Sequence, residues 1–365
     1  MGHPTMGVEE EFLLVDPTSG EPVALNRRTA ELAAERGVDL QLELTSCQVE
    51  TATSVLSTAD EAHEELRRLR RATAAAAQAA GARLLAVGLP PTVPHDFPIT
   101  DKPRYHRIAE RFGMIASEQG ICGCHVHVEV PSREAAIDVG NRLRPWLPIL
   151  LALTANSAVY RNADTRYASW RSVLWGRWPS AGPPPHFESA DEYDATVQMM
   201  LGAGAMLDDG MVYWDVRPSA NFPTVEVRVA DVPATVAQTA LFAAIVRATV
   251  MTVLADRERG EPIVPLSAHA LRAAYWKSAR DGLDGDAIDL VGTGAVVPAA
   301  TLLTKLVDHV TPALDAVGDA DFVRRELQAV LTTGNGATRQ RRAYESGHDV
   351  ADVIDRVAAS TVEGL

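Results

Sequence analysis

The sequence predicts an α+β fold in which helices flank one main sheet. Three observations predict it: runs of strand length alternate with long, alanine-rich helical runs, the last strand-like run ends at Asp231, and the pattern from Ala234 onward is almost entirely helical. The 365 residues are enough for a substantial core. This length could hold one large domain or two ordinary ones. We expect a single domain over 1–365, with a helical C-terminal part at about 234–365.

The composition is that of a folded globular protein, with 47% apolar and 22% charged residues. The 48 acidic and 34 basic residues give a net charge of −14, which argues against nucleic acid or an anionic membrane as a partner. We expect a homo-oligomer, most simply a dimer, because symmetric dimers are the commonest soluble assemblies.

Three features of the sequence predict a cytoplasmic protein. The three cysteines (Cys47, Cys122 and Cys124) are too few and odd in number for a disulfide framework, which indicates a reducing compartment. The N-terminal segment carries three glutamates where a signal peptide needs apolar residues. The apolar segment 240–255 contains Arg247 and is short for a membrane span, so it is predicted to be a buried helix.

The first part of the chain is predicted to contain three strands and two helices. A turn rich in Asp, Pro, Ser and Gly closes the first strand. Gly81 is the stop signal of the long second helix. We expect the strands at 7–15, 39–44 and 48–52, and the helices at 26–36 and 58–80.

The middle of the chain predicts four more strands. The proline-rich segment 89–101 is expected to be a loop, and so is the segment 160–187, which is rich in Trp, Arg and Pro. A proline-containing turn joins the last two strands. We expect the strands at 83–88, 121–130, 213–217 and 224–231, and helical segments within 132–156.

Charged and imidazole side chains recur on one face of three predicted strands. Successive side chains of a strand alternate between its two faces, so residues two apart share a face. The opposite faces are mainly apolar. The polar faces carry Glu9 and Glu11 on the first strand, His125, His127 and Glu129 on the second, and Glu226 and Arg228 on the third.

Each polar face, taken alone, fits a strand with one side in water. The residue types favour another interpretation, because a solvated face usually mixes Lys, Thr, Ser and Glu, whereas these faces carry carboxylates, imidazoles and one arginine. Clustered carboxylates raise each other's pKa unless a cation lies among them. Their oxygens are the ligands that Mg²⁺ prefers, so the pattern predicts a magnesium site.

Two further glutamates, Glu43 and Glu50, lie on neighbouring predicted strands across a tight turn at 45–47. Their spacing alone fits ordinary surface glutamates, and it does not assign them to the polar faces described above.

The run Cys-Gly-Cys-His-Val-His at 122–127 has the composition of a zinc site. Alternation argues against zinc, because the two cysteines should face the core while the two histidines face away. Four ligands from six consecutive strand residues also cannot close a tetrahedron. The cysteines are therefore predicted to be buried and structural.

Six segments occur in a characteristic order between Gly7 and Gly347. They are GVEEEFLLVD, LELTSCQVET, GICGCHVHVEV, YASWRSVLW, YWDVRPSANFPTVEVRVAD and GNGATRQRRAYESG. The ordered set resembles the YbdK-type carboxylate–amine ligases of the glutamate–cysteine ligase type 2 group. That resemblance implies a glutamine-synthetase-like fold, a curved antiparallel sheet that forms a funnel-shaped active site and is flanked by helices.

The resemblance also implies roles for individual residues. Arg228 would be catalytic and would contact the transferring γ-phosphate of ATP, the co-substrate. Arg171 and Arg217 would clamp the substrate carboxylate, and Arg339 and Arg341 would lie beside the nucleotide. The implied ligands of two or three Mg²⁺ ions are Glu9, Glu11, Glu43, Glu50, His125 and Glu226. His127 is implied only as a residue that contacts a ligand and not the metal ion itself.

The function that the resemblance implies is an ATP- and magnesium-dependent carboxylate–amine ligase. The resemblance also implies that the chain is a single catalytic domain. Phosphorylation by ATP converts a carboxylate into an acyl phosphate, and an amine then displaces the phosphate to form an amide. The resemblance implies glutamate or a related amino acid as the acid, and it does not name the amine. Because the sequence has no G-x-x-x-x-G-K-[ST] phosphate loop, metal ions and arginines would hold the nucleotide.

Two other functions stay open at the level of sequence. One is a metal-dependent amidohydrolase in which His125 and His127 bind zinc, which would act without ATP. The other is a non-catalytic binder of a nucleotide or amino acid, which Mg–ATP would stabilise without ADP being formed.

Overall fold

The structure is a computed structural model that describes residues 2–93, 97–118 and 120–365. Within these residues the main sheet has seven strands, and all its pairings are antiparallel. Helices flank the sheet, so the predicted α+β class is confirmed. The predicted loop at 89–101 includes residues 94–96, which lie outside the described residues.

The strands are β1 (Met6–Val15), β2 (Gln41–Leu42), β3 (Gln48–Ala52), β4 (Arg83–Leu85), β5 (Gly123–Glu129), β6 (Val159–Tyr160), β7 (Ala163–Asp164), β8 (Val216–Pro218), β9 (Thr224–Asp231), β10 (Asp286–Ile288) and β11 (Val296–Pro298). The longest strands are β1, β5 and β9, which lie side by side at the centre of the main sheet. The main sheet has the order β2-β3-β1-β5-β9-β8, with β4 beside β1. The remaining strands form two small hairpins, β6–β7 and β10–β11.

Many of the helices begin where the sequence supplies a side-chain cap. For example, the hydroxyl of Thr58 accepts a hydrogen bond from the first turn of α2, and that of Thr235 does so for α9. The helices are α1 (Asn26–Ala34), α2 (Ala59–Ala79), α3 (Pro103–Phe112), α4 (Met114–Ser117), α5 (Arg133–Leu143), α6 (Leu147–Thr154), α7 (Trp170–Trp175), α8 (Ala190–Gly202), α9 (Val236–Glu258), α10 (Ala268–Asp281), α11 (Ala299–Val317), α12 (Ala320–Thr333), α13 (Gly336–Gly347) and α14 (Val350–Thr361).

The apolar face of the sheet packs on α9, which is the central helix of the largest core cluster. Among the described residues, α9 is the one helix long and apolar enough to cross a membrane, but 78% of its apolar window is buried inside the protein. Arg247 near its middle donates a hydrogen bond to the backbone oxygen of Pro4 at 2.7 Å and lies 3.5 Å from Asp319. The segment is therefore a buried helix, as predicted.

A buried ion pair crosses between β1 and α2 on this apolar face. The side chains of Glu10 and Arg70 are both fully buried, and the guanidinium of Arg70 donates to both carboxylate oxygens, at 2.5 and 3.0 Å. Arg70 also donates to the backbone oxygens of Pro233 and Ala234 and to the hydroxyl of Thr239. This network ties β1 and α2 to the start of α9.

Helices and strands differ from the prediction in several places. The strands predicted at 39–44 and 83–88 are shorter, namely Gln41–Leu42 and Arg83–Leu85. The segment 160–187 is not all loop, because Ser169 caps α7 and the hairpin β6–β7 precedes it. The C-terminal part is helical except for the hairpin β10–β11. The strand predicted at 213–217 begins at Val216, because Trp214 packs on Phe187 and Tyr193 instead of continuing the ladder.

An apolar cluster from α3, α8 and the segment before β8 stands opposite the polar face of the sheet. Ile108, Trp178, Tyr193 and Trp214 are among its buried members, and Tyr105 and Tyr213 pack against it. This cluster forms the wall of the cavity described next.

Candidate active site

The polar face of the main sheet lines a cavity of about 750 Å³. Side chains of β1, β3, β5 and β9 form its floor, and Tyr105, Ile108 and Tyr213 belong to its wall. The charged and imidazole residues that line it are Glu9, Glu11, Glu43, Glu50, Arg104, His125, His127, Asp208, Asp209, Arg217, Glu226 and Arg228. The six magnesium ligands that the resemblance implies all lie in this one cavity.

The register of the strands brings the floor residues together. Glu9 pairs with His125 across β1 and β5, and Glu11 pairs with Glu50 across β1 and β3. His127 pairs with Glu226 across β5 and β9. Residues directly opposite each other on neighbouring strands have side chains about 5 Å apart, so each pairing places two potential ligands side by side.

His125 is the centre of the floor. Its Nδ1 lies 3.0 Å from Oε2 of Glu9 and 4.0 Å from Oε1 of Glu226, and its Nε2 lies 4.0 Å from Oε1 of Glu11. Burial and the nearby Arg228 lower the pKa of His125. The imidazole is therefore neutral near pH 7, which is the form that binds metal ions.

Burial and neighbouring carboxylates raise the pKa of the two glutamates from β2 and β3. Burial, with the charge of Glu11, raises the pKa of Glu43 to about 7. Burial, with the charge of Glu43, raises the pKa of Glu50 well above its usual value. Such a cluster stores unfavourable charge repulsion that a divalent cation would relieve.

The pKa of Glu9 and that of Glu226 are lowered instead. Burial alone would raise the pKa of Glu9, but the hydrogen bond with His125 and the nearby His127 outweigh this effect. Burial likewise opposes the charges of Arg228 and Arg217, which together lower the pKa of Glu226. Both carboxylates are therefore ionised at neutral pH and available to a cation.

Arg228 and Arg217 both bind Glu226 in this structure. Nη1 of Arg228 pairs with Oε1 of Glu226, and Nε of Arg217 donates to Oε2 at 2.8 Å. Nη1 of Arg217 also donates to the backbone oxygen of Val212 at 2.5 Å. Arg217, predicted to clamp a substrate carboxylate, thus lines the cavity but is held by Glu226 and by the wall.

Arg171, the other predicted carboxylate clamp, lies beneath the cavity and not in its lining. Its side chain is buried, its guanidinium lies 3.8 Å from Asp231, and its Nε has no hydrogen-bond partner among the described residues. The guanidinium reaches Gly123, where an added Cβ would lie 2.5 Å from Nη2 of Arg171 and 3.3 Å from Nε2 of His125. Gly123 therefore lets Arg171 approach the floor.

The structure does not bring Arg339 and Arg341 to this cavity. Arg339 pairs with Glu363 at 2.5 Å, and Arg341 lies 3.6 Å from Asp164. The reason is that α13, which carries both, packs on α14 and on the hairpin β6–β7. These two arginines therefore do not line this cavity, and their place beside the nucleotide stays a prediction.

Three other members of the β5 motif lie outside the site. Glu129 shares the face of His127 but is exposed and accepts hydrogen bonds from Thr5. Cys122 and Cys124 are buried and carry free thiols, as predicted.

Part of the cavity wall was missed by the sequence analysis. Arg104 of α3 donates two hydrogen bonds, at 2.7 and 2.8 Å, to the carboxylate of Asp208. Tyr213 opens the YWDVRPSANFPTVEVRVAD segment, and that motif is the signal that would have found it. Arg104 and Asp208 lie in segments without a motif, and their pairing depends on the tertiary fold.

The donor set fits divalent cations. Among the described residues, two groups each offer three ligand atoms within 4.8 Å of one another: Glu9 with Glu50 and His125, and Glu9 with His127 and Glu226. Carboxylate oxygens, together with the neutral imidazole of His125, suit Mg²⁺ or Mn²⁺. The raised pKa values of Glu43 and Glu50 likewise show that their ionised forms are unfavourable without a cation nearby.

The raised pKa values predict how stability depends on pH and on magnesium. A carboxyl group with a higher pKa in the folded than in the unfolded protein stabilises the fold at low pH, and this contribution is lost as pH rises through the folded value. Without divalent cations, we expect the free energy of unfolding to fall by about 1–3 kcal/mol between pH 6.5 and 8.5, as Glu43 and Glu50 ionise. Below pH 6.5 the lowered pKa of His125 would act in the opposite direction.

Urea unfolding at both pH values, in EDTA and in millimolar Mg²⁺, measures this effect. Magnesium should remove most of the fall, and the Glu43→Gln variant should show a smaller fall in EDTA. Equal pH dependence in EDTA and in magnesium would contradict the expectation.

Most of the chain matches a known protein family. The sequence model of glutamate–cysteine ligase family 2 matches residues 5–359 of the chain.

Relatives of nearly the same length are similar throughout. "Putative glutamate–cysteine ligase 2-2" of Mycobacterium sp. (strain KMS) is 69% identical over 360 residues, which are 99% of each chain. "Putative glutamate–cysteine ligase 2-3" of Mycolicibacterium smegmatis is 67% identical over 360 residues, again 99% of each chain. "Putative glutamate–cysteine ligase 2-1" of Nocardia farcinica is 60% identical over 364 residues, which are 100% of this chain and 95% of that protein.

Solved structures share the fold at low sequence identity. The glutamate–cysteine ligase of Francisella tularensis in complex with AMP has a TM-score of 0.65 and 16% identity, over 100% of this chain and 90% of that one. A bifunctional glutathione synthetase from Pasteurella multocida has a TM-score of 0.68 and 15% identity, over 99% of this chain and 53% of that one. The ligase PafA in its complex with the ubiquitin-like protein Pup has a TM-score of 0.57 and 15% identity, over 97% of this chain and 72% of that one.

Proposed function

Since the chain belongs to glutamate–cysteine ligase family 2 and is an ATP-dependent carbon–nitrogen ligase, we propose that it joins glutamate or a related amino acid to an amine through an acyl phosphate. One observation carries this proposal. Five glutamates and two histidines from four strands and the β2–β3 turn meet in one cavity with Arg228, and two groups of them offer clustered ligand atoms for a divalent cation.

The chain's carboxylates would hold the divalent cations. The proposed ligands are Glu9, Glu11, Glu43, Glu50, His125 and Glu226. When bound there, two or three Mg²⁺ ions would supply positive charge that neutralises the triphosphate of ATP and aligns it for transfer.

The proposed reaction has two steps. A carboxylate oxygen of the acid attacks the γ-phosphorus of ATP, the bond to the β,γ-bridging oxygen breaks, and ADP leaves with its electron pair. The amine nitrogen then attacks the acyl carbon, phosphate leaves, and the amine gives up one proton. The products are an amide, ADP and phosphate.

Arg228 is the proposed catalytic cation for the first step. It is buried, and its Nε lacks a hydrogen-bond partner within the part of the chain that the structure describes. The charge of Glu226 keeps its pKa high despite burial, so the guanidinium is always positive. A fixed cation of this kind stabilises the charge that spreads onto the oxygens of the transferring phosphoryl group.

Arg171, which lies beneath the cavity and not in its lining, is proposed to contact a substrate carboxylate that reaches down to Gly123. A buried guanidinium with an unpartnered Nε beside Asp231 is costly unless a further anion compensates it. Its position at Gly123 and close to His125 puts it next to the proposed metal ligands.

Family membership favours this reaction over the two other functions that the sequence left open. An amidohydrolase would use His125 and His127 as zinc ligands, but carboxylates outnumber imidazoles around them, and oxygen-rich sites suit magnesium better than zinc. We further propose that residues 1–365 form one catalytic unit that acts as a cytoplasmic homodimer on small molecules.

Release of ADP and phosphate from Mg–ATP tests the proposal. The purified protein is incubated with a panel of amino acids, each paired with a panel of amines, and with each partner alone. We expect at least one pair to release ADP, phosphate and an amide in equal amounts, and EDTA to stop the reaction. Amide hydrolysis without ATP, or thermal stabilisation by Mg–ATP with no ADP from any pair, would overturn it.

A further inference from the structure

We propose that His127 is itself a metal ligand, and that with Glu9 and Glu226 it forms a second cation site better suited to Mn²⁺ than to Mg²⁺. The role of this second site in catalysis rests on the proposed function. Its metal binding does not, because metal binding can be measured without any substrate.

The geometry begins with the strand pairing. His127 lies opposite Glu226 across β5 and β9, and its Nε2 lies 3.4 Å from Oε1 of Glu9. One ligand atom from each of these three residues lies within 4.8 Å of the others. Ligands on opposite sides of an octahedral ion with bonds of about 2.1 Å are about 4.2 Å apart, so closure of the site needs only a small movement.

Glu9 would bridge the two sites. Its Oε2 lies 3.0 Å from Nδ1 of His125, and its Oε1 faces Nε2 of His127. The first site would therefore use Glu9, Glu50 and His125, and the second would use the other oxygen of the same carboxylate.

The hydrogen bond at Nδ1 of His127 prepares Nε2 for a cation. Nδ1 lies 3.0 Å from the hydroxyl oxygen of Thr224. Nε2 is buried and has no hydrogen-bond partner in the described residues, because its contact with Glu9 lacks hydrogen-bond geometry. With the proton on Nδ1 and donated to Thr224, the lone pair of Nε2 faces an ionised carboxylate, and a cation between them makes this contact favourable.

The second site has its charge balanced by neighbours on other elements. Arg228 and Arg217 occupy one lone pair on each oxygen of Glu226, and the remaining lone pairs stay available. The ring of Phe222 packs edge-on against His127 and shields this side of the imidazole. These contacts hold the imidazole in place while leaving Nε2 directed at Glu9.

The nitrogen ligand decides the preferred metal. Mg²⁺ strongly prefers oxygen, whereas Mn²⁺ tolerates an imidazole among oxygen ligands and lies above Mg²⁺ in affinity for such mixed sites. A site with two carboxylates and one imidazole should therefore bind Mn²⁺ more tightly than Mg²⁺.

Electron spin-echo spectroscopy of bound Mn²⁺ tests the proposal on the full chain without ATP, acid or amine. The wild type should bind two Mn²⁺ ions and show ¹⁴N coupling from an imidazole at each. In His127→Gln, we expect one site to lose its nitrogen coupling and to bind Mn²⁺ at least about tenfold more weakly. His269→Gln, which changes an exposed histidine on α10, is the matched control and should leave both sites unchanged.

A second variant covers the case in which His127→Gln fails to fold. Thr224→Val keeps the imidazole but removes its Nδ1 partner, so Mn²⁺ affinity at the same site should fall about tenfold with the nitrogen coupling retained. Unchanged nitrogen coupling and affinity in folded His127→Gln, or unchanged affinity in Thr224→Val, would overturn the assignment. Failure of every acid and amine pair to release ADP would overturn the proposed function alone, since these spectra contain no substrate.

Discussion

Replacement of Arg228 by alanine is expected to lower acid- and amine-dependent ADP release by about a thousandfold while the protein stays folded. The physical reason is that the guanidinium is a buried, permanently charged group on the cavity floor, beside the proposed metal ligands. Folding should survive, because Arg217 remains paired with Glu226 at 2.8 Å. The rate is measured with the substrate pair that the screen identifies, and folding by the urea midpoint.

The matched control is Arg324→Ala, which removes an exposed arginine paired with Asp321 on α12 and should leave the rate unchanged. Arg228→Lys should recover part of the rate, because it keeps the charge but loses the planar fork. Glu226→Ala should abolish ADP release as well. Near-normal turnover in folded Arg228→Ala or Glu226→Ala would remove the proposed mechanism.

The largest loss of stability is expected from Glu10→Ala, at about 3–5 kcal/mol of unfolding free energy. The substitution leaves the fully buried guanidinium of Arg70 without its negatively charged partner, since Glu10 accepts two hydrogen bonds from it. The remaining partners of Arg70 are the backbone oxygens of Pro233 and Ala234 and the hydroxyl of Thr239, and none carries a compensating negative charge. Urea unfolding monitored by circular dichroism measures the change.

Glu31→Ala is the matched surface control, because it removes an exposed partner of Arg28 at 3.1 Å and should cost less than about 1 kcal/mol. The double variant Glu10→Met with Arg70→Met should be more stable than Glu10→Ala, since no charge is left buried. A loss below about 1 kcal/mol in Glu10→Ala would show that Arg70 finds another anion or water.

The polar faces of β1, β5 and β9 could be predicted from the sequence because the period of two is a local property of the backbone. The alternation that places Glu9 and Glu11 on one face puts Glu10 on the other, and the structure has this arrangement. The same local reasoning located the buried helix around Arg247.

Local reasoning could not place Glu43 and Glu50, because spacing alone made them ordinary surface residues. The antiparallel register of β1 and β3 puts Glu50 opposite Glu11, and the turn after β2 brings Glu43 to the same cavity. Register between strands that are distant in sequence is set by burial of their apolar faces and not by the neighbours of any one residue. In these two positions the family resemblance supplied what pattern could not.

The arginines also show that sequence motifs alone do not determine which side chains reach the cavity. Sequence motifs singled out five of them, yet the structure places Arg228 and Arg217 in the cavity, Arg171 beneath it, and Arg339 and Arg341 on another part of the protein. A long, flexible cation can reach a site only from the element that carries it, and the packing of that element is a tertiary property.

The sequence by itself determined the fold class, the polar faces of the strands and the identity of the side chains available for metal chemistry. The tertiary structure alone decided which faces meet, which arginines reach them, and that Nδ1 of His127 lies beside Thr224 while its Nε2 lies beside Glu9. The physical reason is that backbone periodicity acts over a few residues, whereas convergence of charges depends on strand register and on helix packing across the whole chain.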